Sequence, residues 1–133
     1  MVLKPGLNDI HSSDVDNVTK EANRDAIPVY FLSTNGRFGR EAFFDAVSAV
    51  LPLDPELVGT HSWDALADSL WEGITSLESD RLVIIWQDAF IFGKDSPSEF
   101  SIALSVLEEV GRLLADRGAT NGNPKEVCLY IVI

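Results

Sequence analysis

Three acidic residues, Asp64, Asp68 and Glu72, stand at four-residue intervals. On a helix that interval puts them on one stripe, with successive carboxylates roughly 6 Å apart. Four kinds of chemistry suit such a row: acid–base catalysis, calcium binding, docking of a basic protein, and simple solvation of a charged helix face. A catalytic pair needs contrasting surroundings, so that one acid keeps its proton while the other ionises. Residues on one stripe share their surroundings. Calcium loops wrap their ligands around a tight turn with a glycine, and none interrupts this stretch. The spacing alone leaves a solvated face and a docking face both open.

Other chemistry is scarce. The two histidines, His11 and His61, are far apart. No Cys–His spacing suits zinc. Gly36 and Gly39 flank Arg37 and Phe38 without forming a phosphate-binding loop, and no serine sits in a nucleophile elbow. The expectation is no enzyme and no cofactor or metal. A small hydrolase built on Asp64, Asp68 and Glu72 is a third reading, without a base, nucleophile or metal cluster to support it. The single cysteine, Cys128, lies inside the apolar run Val127–Ile133 and reads as a core residue.

The elements that must hold these groups follow from apolar periodicity. The 133 residues suit one domain. Residues 1–26 carry no sustained apolar period and read as a polar tail or loosely docked arm. The domain proper is expected over 27–133. Val29 to Thr34 reads as a strand ending at the Asn35-Gly36 turn signal. A helix is expected from about Arg40 to Leu51, stopped by Pro52. Asp54-Pro55-Glu56 has the form of a short helical start, with Gly59 ending it. Ser62 is a candidate cap for a helix from Trp63 to about Ile74, with Trp63, Leu66, Leu70 and Ile74 facing inward. Leu82–Trp86 is apolar throughout, as in a strand covered on both faces. Ser96-Pro97-Ser98-Glu99 has capping-box spacing before a helix running to about Arg117. Val127–Ile133 is a second fully buried strand. The expected fold is α/β, a small three-stranded parallel sheet in β-α-α-β-α-β order.

Charge narrows the partners. The net charge is −11. Phosphates would be repelled, so nucleic acid is not an expected direct partner. From Glu41 to Asp80 there are nine acidic residues and no Lys or Arg. A block of one sign has few internal ion pairs, and its field is left for a cationic partner. No apolar run reaches the roughly 18–20 residues a membrane span needs, and the N-terminus has no secretory pattern. With one cysteine, the cytoplasm is the expected location, and a monomer the expected free state.

The stretch Trp63-Asp64-Ala65-Leu66-Ala67-Asp68-Ser69-Leu70 resembles the second-helix signature of the barstar family. Upstream, Leu53-Asp54-Pro55-Glu56-Leu57-Val58-Gly59 is similar to that family's Leu-Pro-Glu-Tyr-Tyr-Gly segment. Downstream, Leu82–Trp86 resembles its second strand, which also ends in tryptophan. The resemblance covers about residues 28–133. It implies an intracellular inhibitor whose acidic helix blocks the basic active site of a barnase-class ribonuclease. Asp68 would then be the central carboxylate and Asp64 its neighbour, with Ala67 and Glu72 on the same helix. Gly59, Thr60, His61 and Ser62 would form the rim loop, and Asp116, late in the last helix, an outer acidic contact. The chain departs from the family where the two tyrosines are Leu57 and Val58, where an aromatic is Ala67, and where an acidic position is Arg112. With these departures the target need not be barnase itself, and a divergent ribonuclease or a toxin of another class stands beside a barnase-class enzyme as the expected partner. The alternative is an acidic interaction module of the same fold that binds a basic partner without inhibiting it.

Overall fold

A computed structural model describes residues 3–133. Four parallel strands form one sheet: β1 (Gly6–Ile10), β2 (Val29–Leu32), β3 (Arg81–Trp86) and β4 (Glu126–Val132), in the order β1-β4-β3-β2. Among the described residues five α-helices connect them: α1 (Val15–Arg24), α2 (Gly39–Val50), α3 (Trp63–Thr75), α4 (Ala89–Asp95) and α5 (Pro97–Leu114). The α/β class and the parallel sheet agree with expectation. The three-strand count and the β-α-α-β-α-β order do not.

The fourth strand comes from the segment expected to be a tail. Met1 and Val2, the start of that segment, lie outside the described residues. From Gly6 to Ile10 the chain pairs with Cys128 to Val132 of β4. Only Leu7 and Ile10 in this strand are apolar, which suffices at a sheet edge because one side of the backbone needs no strand partner. Helix α1 follows with a stripe of only Val15, Val18 and Ala22, too narrow to stand out as a period. Val18 and Ala22 are nevertheless wholly buried.

The two central strands show why one sheet makes two cores. Successive side chains point to opposite faces. Leu82, Ile84 and Trp86 of β3, with Val127, Leu129 and Ile131 of β4, meet α2, α3, α4 and α5. Val83 and Ile85, with Cys128, Tyr130 and Val132, meet Val18 and Ala22 of α1. Since β1 and β2 are opposite edges, α1 spans the second face between them. Burial of the Cys128 thiol, with the Glu126 charge nearby, pushes its pKa up to about 11. That is the behaviour of an unreactive core cysteine.

Two local expectations are corrected. No helix forms after Asp54; residues 51–62 are a loop fastened to α3. The Asp54 N–H donates to the Ser69 carbonyl at 3.1 Å, and the Ser69 hydroxyl donates to the Pro55 carbonyl at 2.5 Å. The Ser96–Glu99 capping box is also not made. The Ser96 hydroxyl accepts from the Gly39 N–H at 3.0 Å, and Glu99 pairs with Arg40 at 3.2 Å. Both residues tie the start of α5 to the start of α2, an exchange of local for tertiary bonds.

Candidate functional site: the exposed acidic face of α3

Helix α3 starts where the cap signal places it. The Ser62 hydroxyl accepts from the Ala65 N–H at 3.3 Å, which satisfies one of the free N–H groups of the first turn. Asp64 lies in that turn, where a negative charge suits the positive end of the helix dipole. Leu66, Leu70 and Ile74 face the core.

The inward stripe fixes what the other faces present. Asp64, Asp68 and Glu72 are all exposed. The ion pairs among the described residues join Arg24 to Glu21, Arg37 to Asp45, Arg40 to Glu99, Arg81 to Glu126 and Arg112 to Glu109. None involves the α3 acids. Their charges are therefore neither buried nor neutralised within the fold.

Two tethers hold α3 in place. One is the Ser69 connection to the 51–62 loop. The other is a close approach at Gly73, where a β-carbon would lie 2.1 Å from the Pro52 carbonyl oxygen. Only glycine fits there.

The rim loop is partly ordered by contacts of its own. Gly59 has φ +70°, a left-handed conformation that favours glycine. The Thr60 hydroxyl accepts from the Ser62 N–H at 3.3 Å. His61 is exposed and meets the Phe44 ring edge-on at 5.4 Å. Thr60, His61 and Ser62 thus lead directly into the first turn of α3, beside Asp64.

Asp116 does not lie in the last helix as expected. Helix α5 ends at Leu114. The Asp116 carboxylate turns back on the following loop, accepting from the N–H groups of Gly118 at 2.7 Å and Ala119 at 3.1 Å. Its charge organises this turn.

Beside the row, α3 and α5 enclose an open groove of about 790 Å³. Trp63, Ala67 and Trp71 form one wall and Ile102 and Val106 the other, with Asp64 and Asp68 at the lip. Trp63 is half-buried against Phe43 and Phe44, at 5.7 and 5.1 Å between ring centres, with the Arg40 guanidinium 5.3 Å from its own. Trp86, by contrast, is fully enclosed. Sequence reasoning missed the groove because it depends on where α5 packs. One signal was present: Ile102 and Val106 are apolar residues left over from the α5 core stripe. No three His, Cys, Asp or Glu side chains come together as a metal site among the described residues. No described helix is long and apolar enough to cross a membrane.

Comparison with known proteins fits this geometry. The model of the Barstar family, described as Barstar (barnase inhibitor), matches residues 28–122. The match runs from just before β2 to the loop before β4 and includes all of α3, while β1 and α1 precede it. No curated protein and no solved structure matches the chain. With most of its length matched by one family model, and the signature helix folded, capped and exposed as that family's pattern implies, the chain belongs to the barstar family.

Proposed function

We propose that this protein inhibits a ribonuclease, or a toxin with a similarly basic active site, by laying the acidic face of α3 across that site. The observation that carries this reading is that Asp64 and Asp68 are exposed, one turn apart and without cation partners among the described residues, in a member of a family of barnase inhibitors. An enzyme that cleaves RNA must hold a polyanion, so its cleft gathers Lys, Arg and His. Carboxylates roughly 6 Å apart imitate neighbouring phosphates without offering a bond to cleave. Asp68 is the central group and Asp64 its neighbour. Gly59, Thr60, His61 and Ser62 form the adjoining rim, and Ala67 and Glu72 complete the face. The surplus negative charge draws the basic enzyme in and speeds encounter.

The target is a basic ribonuclease of the barnase class or a divergent toxin, and need not be barnase itself. Leu57, Val58 and Ala67 lack the aromatic rings that often anchor interfaces. The proposed place of action is the cytoplasm, where the unpaired Cys128 thiol stays reduced.

The test is a ribonuclease assay on the isolated complex with a basic enzyme of the barnase class or a toxin encoded beside this protein. Stoichiometric loss of RNA cleavage is expected. A stable complex that still cleaves RNA at the free enzyme's rate would overturn inhibition and favour a binding module without inhibitory action.

A further inference from the structure

The groove between α3 and α5 has an asymmetry that the acidic row alone does not explain. On α3 two rows run side by side at one-turn intervals. Asp64, Asp68 and Glu72 are exposed, and Trp63, Ala67 and Trp71 line the groove. On α5, Ile102 and Val106 repeat the same interval from the opposite bank, and Ile102 is 38% exposed. The charges differ between the banks. Glu109 on the α5 side is matched by Arg112 at 2.6 Å, whereas the α3 acids have no cation among the described residues. One bank is thus acidic and the other close to neutral, with an apolar floor between them.

A partner offering only cations would satisfy the α3 row and leave the floor wet. Apolar surface so left forgoes the gain of being removed from water. An extended segment alternates its side chains between two faces, so it cannot set a cationic row and an aliphatic row side by side at one interval. A helix can, because residues four apart stack on one stripe and the next stripe lies beside it. A helix also packs its ridges into a groove between two others.

We infer that the α3–α5 groove seats an amphipathic helix of a basic partner protein, with aliphatic side chains at one-turn intervals in the groove and Lys or Arg at the adjacent positions over Asp64, Asp68 and Glu72. The inference rests on the reading of α3 as a partner-binding surface and adds the chemistry of what the partner presents. It does not depend on the partner being an enzyme. Selectivity follows from the aliphatic row, since many basic surfaces carry cations and few carry both rows in register.

Two synthetic helical peptides of about fifteen residues serve as probes against the full-length chain. Both carry the same lysine row; one carries leucines in the adjacent row and the other serines. Trp63 and Trp71 report occupancy by their fluorescence, against a steady contribution from the enclosed Trp86. The leucine peptide is expected to bind about ten-fold tighter and to shift the emission to shorter wavelength. Ile102→Ser, which removes apolar surface at an exposed position without adding charge, is expected to abolish that preference while leaving the serine peptide's affinity unchanged. Equal binding of the two peptides, no binding of either, or a preference that survives Ile102→Ser would overturn the inference. Ribonuclease inhibition is read separately. Peptide preference without inhibition of any ribonuclease would count against the proposed function alone. Inhibition without peptide preference would count against the groove alone.

Discussion

Asp88 shows how one side chain can fasten several elements. It follows β3, and its carboxylate accepts from the Thr34 N–H and hydroxyl, the Ser33 hydroxyl and the Trp86 indole N–H, all within 3.2 Å. Burial works to raise its pKa, but the donors of Thr34, Gly36 and Ser33 outweigh it and hold the carboxyl below its ordinary range. A carboxyl lowered in the folded state stabilises the fold above its unfolded pKa, and that contribution is lost as pH falls through the folded value. Asp88→Asn is expected to cost about 1–3 kcal/mol at neutral pH. Below the ordinary carboxylate range, where the native group also loses its charge, the gap between the two proteins should narrow. Denaturant unfolding at the two pH values checks this; a gap that stays constant would contradict it. What the sequence made legible at residue scale was geometry: Ser62 caps α3 as its type and position imply, and Asp64 and Asp68 stand exposed on one stripe as their spacing implies. Asp116 falls just past the last helix instead of within it, because its carboxylate closes the turn that follows Leu114.

Elements were legible where a wide apolar stripe or run marked them. Helices α2, α3 and α5 and strands β2, β3 and β4 all fall close to their expected bounds. Strand β1 and helix α1 were not legible, since each supplies few apolar residues and gains its order from the sheet it joins. Helix α4 was missed for its brevity and its exposed Phe90 and Ile91. The Asp54–Gly59 stretch was misread because the backbone bonds of Asp54 and Pro55 run to Ser69 of α3 instead of forming a local turn of helix. That arrangement makes a prediction for α3. Gly73→Ala would drive a methyl group into the Pro52 carbonyl, so stability should fall by about 1–3 kcal/mol or more. Because α3 carries the acidic row, partner binding should weaken as well. Unchanged unfolding of the variant would show that α3 and the loop are free to separate. A second prediction concerns β1 and α1. Removing residues 1–26 would bare the edge of β4 and the core face of Val83, Ile85, Cys128 and Tyr130. The shortened chain should lose cooperative thermal unfolding or aggregate at its exposed edge. A truncated protein with an undiminished melting temperature would mean the remaining three strands are self-sufficient.

Across the whole molecule, the net charge of −11 and the unpaired α3 row act together. Scattered charges of one sign set solubility and long-range attraction. The row sets where attraction ends in contact. Association with a basic target should therefore slow steeply as salt rises from about 0.01 M to about 0.15 M, while dissociation changes little. Stopped-flow traces at those two ionic strengths separate the rates, and a salt-independent association rate would remove steering from the account. Buried charge has a different task. Lys125 is 6% exposed and donates from Nζ to the Leu77 and Ser79 carbonyls, both at 2.7 Å, closing the loop between α3 and β3 onto the start of β4. The fold thus keeps a cation inside for structure and leaves its α3 anions outside.

The central claim is that Asp68 enters the basic cleft of a ribonuclease, and the inhibition constants of the native chain and of Asp68→Ala test it most directly. Asp68 is exposed and has no ion-pair partner among the described residues, so the variant should unfold within about 0.5 kcal/mol of the native protein. Its inhibition should nonetheless weaken by about 2–5 kcal/mol, which is roughly thirty-fold to a few thousand-fold. Equal inhibition constants for the two proteins would contradict the account.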